Sequence, residues 1–482
     1  MDARHGLRVS VLVCLLLVVS VSCDMGGSSD QPGELSKGTA APANAAASQG
    51  PTPRPEREEP VPCPSGTMES WTMHERITIT ESVGELEWMN PGVVVNRTGT
   101  ATVAWGTADF LIRTADDPPA PGDPQDPAHG AQDTYFAPED HLAIDAADVQ
   151  TLMYQKSVRW TNNGFAEIFD LVLSDRVSGS EWSSSLAEVK ERILLRADLA
   201  VNASGAAVVV WSESKTTRTE DRLYASYRDV AGATWTAPQR VPAPDAFDYD
   251  VGIDDAGRVL LVYDRLFDKH EGVWAIRRSR AGEWEKTRQL SGPGTELFGL
   301  AVSAGGAAVV THGHVDGNGR PDGPHFTSRM SPAGKWGAPV GQPNGLGLGG
   351  LVDMDAKGRA LIAGWKGADL MGRWSRPDGR WRKPFVLTAD VSKTLKWGLT
   401  ERVAVNRRGD AVVRWGPKGR IAHVWARYKP VGQEWTQPVR LTRADKPPQL
   451  FRAAIGECGH VAFAWVTSGD PELQVLRASP MP

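Results

Sequence analysis

Asn202-Ala203-Ser204-Gly205-Ala206-Ala207-Val208-Val209-Val210-Trp211 decides how the whole chain reads. A polar side chain followed three residues later by glycine is a tight turn that needs positive φ at the glycine. The unbroken apolar run behind it suits a strand covered on both faces. The same string occurs as Asn96-Arg97-Thr98-Gly99 before Ala101 to Trp105, and it returns at 254–257, 303–306, 355–358, 406–409 and 456–459. These are seven copies, and from Gly205 onward the turn glycines stand 52, 49, 52, 51 and 50 residues apart.

A second marker keeps the same period. A polar turn runs into tryptophan in Ala281-Gly282-Glu283-Trp284, Ala333-Gly334-Lys335-Trp336 and Asp378-Gly379-Arg380-Trp381, and Trp71, Trp182, Trp235 and Trp435 complete a set of seven. Between markers a unit reads as four short strands, as in 250–253, 259–263, 273–279 and 284–290. No helical period interrupts them. About 50 residues of four-stranded sheet per unit, seven times over, predicts an all-β, seven-bladed β-propeller with four-stranded blades.

The two ends complete each other. The first tryptophan turn, at Trp71, has no glycine unit before it, and the last glycine unit, around Gly459, runs out before any tryptophan turn. The N-terminal strand is therefore expected to pair with the C-terminal strands and close the ring, which removes an open sheet edge. Cys63 and Cys458 flank the segments that must meet, so a Cys63–Cys458 disulfide is expected to lock the closure.

Composition agrees and excludes other classes. Gly 50 and Pro 34 make a turn-rich chain, and Trp 18 exceeds Phe 11 and Tyr 7 because tryptophan marks the repeat. A formal net charge of −5 leaves no basic field for nucleic acid.

Residues 1–23 read as an export signal, with Arg4 and Arg8 ahead of an apolar run too short to span a bilayer. Its end, Ser20-Val21-Ser22-Cys23, resembles the bacterial lipoprotein cleavage box, which implies lipidation of Cys23 and a membrane contact through that anchor alone. Residues 24–62 are Pro, Ala, Gly and Ser with scattered charge and cannot build a core, so they read as a disordered linker. The propeller is expected over 63–482, with an acidic insertion at about 106–159 that holds ten acids against three bases. That insertion reads either as a lid or cation-binding loop, or as a solvated one.

Aligning the first strands puts Gly92, Asp198, Asp250, Gly299, Leu351, Arg402 and Arg452 at one position, four residues before each glycine-turn marker. If that position faces the channel, Asp198, Asp250, Arg402 and Arg452 converge there, either as a polar ligand site or as a structural ion network. In the loop after His312, the residues Asp316, Asn318 and Asp322 offer hard oxygens spaced loosely like a calcium loop, although no glutamate closes the site. His312, His314 and His325 are the alternative, a transition-metal set, and a plain glycine-rich loop is the third reading. No cofactor is otherwise implied. Trp88, Trp160 and Trp397 fall outside both tryptophan patterns, and Trp88 and Trp397 are ligand-contact candidates.

Ser375-Arg376-Pro377-Asp378-Gly379-Arg380-Trp381 resembles the Asp-box of sialidase-type propellers, with the family's early Asp displaced. The resemblance implies a structural box away from the active face. A sialidase would also need an arginine triad, a Tyr with a Glu, and an acid–base Asp; Arg196, Arg402 and Arg452 could supply the first and Tyr249 with Glu401 the second. Export signal, linker and repeat together resemble actinobacterial propeller lipoproteins. The expected function is a binding or scaffolding module at the cell surface, with a protein or glycan partner and no assigned catalytic residue. The alternative is a sialidase-like hydrolase acting on glycans.

Overall fold

The computed structural model describes Cys63 and residues 71–73, 77–80, 91–106, 110–114, 142–160, 167–177, 182–192, 194–213, 222–244, 246–265, 271–315, 321–343, 352–366, 368–389, 402–416, 423–442, 448–467 and 472–480. Every regular element among them is a β-strand, and every strand pairing is antiparallel. The signal, the linker, Trp88, Trp397, Asp316 and Asn318 lie outside the described residues.

The strands form a ring of sheets. We number the blades in chain order. Blade 1 is Gly92–Val95, Ala101–Gly106 and Phe110–Thr114. Blade 2 is Leu142–Ile144, Val149–Trp160, Glu167–Val177 and Ser183–Arg192. Blade 3 runs from Leu194 to Pro244, blade 4 from Ala246 to Gln289, blade 5 from Thr295 to Gly341, blade 6 from Val352 to Thr388 and blade 7 from Arg402 to Arg440, each with four strands. Blade 8 is Pro448–Ile455, Val461–Thr467 and Leu473–Pro480, with Trp71–Met73 and Ile77–Thr80 lying end to end along its third strand.

The propeller, its four-stranded blades and its closure by the two termini match the sequence expectation. Seven of the sheets are four-stranded, counting the two N-terminal segments as one outer strand, and an eighth, three-stranded sheet, blade 1, takes its own place between blades 8 and 2. The stretch read as an acidic insertion accounts for the difference, because it contains the third strand of blade 1 and the first strand of blade 2. Blade 2 escaped the repeat because its turn, Asp145-Ala146-Ala147-Asp148, carries aspartate in place of glycine. Asp148 has φ 61°, a left-handed conformation that aspartate tolerates better than most residues.

The turn marker works through its side chain. Asn202 Oδ1 accepts from the backbone N–H groups of Ser204 and Ala206 at 2.9 and 3.0 Å, and Asp145 Oδ1 accepts from Ala147 and Val149 at 2.8 and 2.9 Å. Each turn thereby satisfies its own amides and leaves the glycine, or Asp148, to make the reversal. Nine residues after the marker, Trp105, Tyr154, Trp211, Tyr263, His312, Trp415 and Trp465 are all buried between blades. Trp365 sits one residue beyond that position and is buried as well.

Cys63 and Cys458 form a disulfide with Cα atoms 5.1 Å apart, tying the segment before the closing strand to the glycine turn of blade 8. Arginines add a fastening that repeat spacing does not reveal. Arg228 of blade 3 lies over Trp235 at 5.0 Å and pairs with the buried Asp175 of blade 2. Arg427 of blade 7 donates to the Leu387 carbonyl of blade 6.

Candidate functional site

Strand register confirms that the residues aligned by sequence share one level of the ring. Gly92, Asp198, Asp250, Gly299, Arg402 and Arg452 pair with Ala104, Val210, Val262, Thr311, Arg414 and Ala464, always twelve residues on. Two of the four charged side chains have clear duties there. Asp198 Oδ1 accepts from the N–H of Leu199 at 2.8 Å, and its Oδ2 accepts from the N–H of Val251 in blade 4 at 2.9 Å. Asp250 Oδ2 accepts from the N–H of Leu300 in blade 5, also at 2.9 Å.

Two carboxylates that the sequence did not single out do the same work. Asp353 bridges Met354 and Val405 of blade 7, at 2.7 and 2.6 Å, and burial pushes its carboxyl up to about 7. Asp264 bridges Asp248 and, at 3.4 Å, Leu297 of blade 5. It too is pushed up to about 7, chiefly by burial, with Glu296 adding repulsion. Each of these acids joins an amide one blade further round the ring.

Arg452 is buried, donates to the Phe451 carbonyl at 3.3 Å, and is pushed down to about 10 by that burial. Arg402 opens its strand, and its side chain lies outside the described residues, as does that of Asp322. His312 contacts Ser328 Oγ at 3.0 Å and stacks on Phe326, and burial lowers its pKa to about 4. It occupies the tryptophan position of blade 5. Among the described residues no three acidic, histidine or cysteine side chains cluster as metal ligands.

Among the described residues, Arg196, Asp248 and Glu296 lie at the end of the innermost strands away from the glycine turns. The Arg196 guanidinium pairs with Asp248 and lies over the Tyr249 ring at 5.1 Å. Tyr249 is 1% exposed, and its hydroxyl donates to the Arg196 carbonyl at 2.7 Å. Burial moves that phenol well above its ordinary range.

At the opposite end the eight turns meet over a cavity of about 250 Å³. Its wall is one aliphatic side chain per blade, the residue just before each marker: Val95, Ile144, Val201, Ile253, Val302, Met354, Val405 and Ile455. Asp255 of blade 4 and Arg407 of blade 7 reach across the opening. They make a bidentate pair, Nη1 to Oδ1 at 2.9 Å and Nη2 to Oδ2 at 2.5 Å. Arg407 Nε also lies 3.6 Å from Glu457, and hydrogen bonding to Asp255 raises the arginine pKa further. This bar covers the turn-side mouth with matched charge. Nothing in the repeat pattern foretold it, because its partners are 152 residues apart.

No protein-family model matches the chain, and no curated protein does. Solved structures are similar to it at low identity. The polysaccharide lyase Uly1 is similar over 85% of this chain and 100% of its own, with 9% identity and a TM-score of 0.48. A lectin of Aleuria aurantia, AAL, solved with Fucα1-6GlcNAc, is similar over 69% and 89%, with 14% identity and a TM-score of 0.34. A subtype N10 neuraminidase-like protein is similar over 60% and 96%, with 12% identity and a TM-score of 0.36. These are likenesses of fold, and they assign no ligand.

Proposed function

We propose that the chain is an exported, lipid-anchored propeller that acts as a binding or scaffolding module at the bacterial cell surface. The observation that supports it best is the employment of the acids on the innermost strands. Asp198 and Asp250 are taken up by hydrogen bonds to the next blade. A carboxylate that accepts backbone N–H groups as a structural bridge is poorly placed to shuttle protons. Tyr249, the candidate nucleophile of a sialidase-like site, is buried with its hydroxyl donated to a carbonyl.

One place favours the hydrolase reading. Asp264 bridges backbone amides as Asp198 and Asp250 do, but burial raises its pKa to about 7, with Glu296 adding repulsion, so it can hold a proton near neutral pH. A carboxyl group whose pKa is raised towards neutrality is the usual general acid of glycoside hydrolysis. A glycan array run beside a screen of chromogenic glycosides tests both readings. Binding without turnover supports the module. Turnover that Asp264→Asn abolishes would replace it.

A further inference from the structure

Blades 6 and 7 part on their outer side to leave a cleft of about 380 Å³. Three half-buried aromatic side chains, Trp374, Phe385 and Trp435, line it, with Phe385 and Trp435 ring centroids 6.0 Å apart and their planes 32° from parallel. Four cations, Arg382, Lys383, Arg427 and Lys429, share the lining with one acid, Glu434. A surplus of three positive charges in one cleft stands out on a chain whose net charge is −5.

The cations divide into two roles. Arg427 donates to the carbonyls of Thr436 at 2.6 Å, of Trp435 at 3.3 Å and of Leu387, and Lys429 donates to that of Gln433, so both are fixed in the wall. Arg382 and Lys383 are exposed at the rim. Lys429 is pushed below its ordinary range by burial, and Arg359 and Arg382 push in the same direction against Glu434 and Asp410. Like charges crowded on one wall are relieved by a bound anion. The Trp374 Nε1 donor is buried and has no hydrogen-bond partner among the described residues.

We propose that this cleft binds an anionic polysaccharide, a chain of sugars bearing carboxylate or sulfate groups. Aromatic rings give a platform for the C–H face of a sugar, and the fixed and rim cations hold the acidic groups. A lipid surface would instead need apolar side chains that project, and these three are partly buried against the core cluster shared by blades 6 and 7. Nucleic acid would need a basic field wider than one cleft. The site is separate from both ends of the channel, so it stands whether the ring centre binds or catalyses.

The test is affinity electrophoresis of the full exported chain through gels holding heparin, alginate or neutral dextran, with single-stranded DNA and phosphatidylglycerol vesicles as other anions. Heparin or alginate should retard the protein, and dextran should not. The double variant Arg382→Glu, Lys383→Glu changes only exposed side chains and should weaken retention at least about tenfold. Trp374→Leu, which removes one ring of the aromatic lining, should weaken it several-fold, and the distant exposed change Arg288→Glu should leave it unaltered. Absence of retention by both acidic polysaccharides overturns the proposal. So does an equal loss in Arg288→Glu, or DNA or vesicle binding as tight as that of the polysaccharides.

Discussion

Asp198 of blade 3 accepts a hydrogen bond at 2.9 Å from the backbone N–H of Val251 in blade 4. The innermost strands of neighbouring blades are too splayed to share a ladder, so their inward amides need another acceptor. A carboxylate that turns one oxygen to its own strand and the other to the next blade supplies it. Asp198→Ala would leave the Val251 amide without this acceptor, at a cost of about 1–3 kcal/mol. Chemical denaturation should show that loss with an unchanged m-value. Stability equal to wild type would mean that the bridge contributes nothing.

Two of these bridges should give the fold an unusual pH dependence. Asp264 and Asp353 are raised from 3.8 to about 7 in the folded protein, mainly by burial. Below about pH 4 both states hold the proton, so no stability difference arises there. Between about pH 4 and 7 the folded state keeps protons that the unfolded state has released, and stability falls as pH rises. Above about pH 7 the loss is complete. Asp264→Asn removes one of these titrating groups. The stability of wild type minus that of Asp264→Asn should therefore decline from about pH 4 to about pH 7 by up to roughly 4 kcal/mol. A difference that stays level, or rises with pH, would refute the assignment.

Asp148 carries a prediction that glycine at the same place in other blades does not. Its left-handed backbone is tolerable because its Oδ1 accepts from the N–H of Arg97 in blade 1 at 3.1 Å, while Arg97 Nε donates to the Ala146 carbonyl at 2.7 Å. Asp148→Gly relieves the backbone but loses the carboxylate, so the two effects should nearly cancel, within about 1 kcal/mol. Asp148→Val keeps neither advantage and should cost at least about 1–2 kcal/mol. Thermal melts of both variants check this. A valine variant as stable as glycine would show that the turn is not strained.

The same residue marks where the sequence stopped being legible. Seven turns could be counted because glycine at positive φ leaves a mark in sequence, and closure by Trp71 and the C-terminal strand could be read because each end lacked what the other had. Blade 2 had the acceptor Asp145 and the packing residue Tyr154 at the expected offsets, but Asp148 hid it. The shared level of Asp198, Asp250, Arg402 and Arg452 was equally legible, since strand register preserves offsets. What Asp198 does there was not, because its partner is a main-chain amide of another blade, and any residue supplies an amide. The Asp255–Arg407 bar and the cleft beside Trp435 arise from curvature of the ring, which brings together side chains that no spacing relates.

Ring closure rests on one covalent bond and one added strand, and the two can be separated. The disulfide closes a loop of 395 residues, for which loss of unfolded-state entropy gives on the order of 5 kcal/mol as an upper figure. The strand contributes hydrogen bonds in the pairings of Trp71 with Pro480 and Ile77 with Val475. Reduction, or the pair Cys63→Ser and Cys458→Ser, should lower the melting temperature and raise hydrogen exchange first at 71–80 and 473–480. The inner strands of blades 3 to 5 should exchange as before, because the Asp198 and Asp250 bridges do not depend on the closure. If reduction instead speeds exchange evenly around the ring, the blades unfold as one unit and the disulfide acts on the whole, not on the seam.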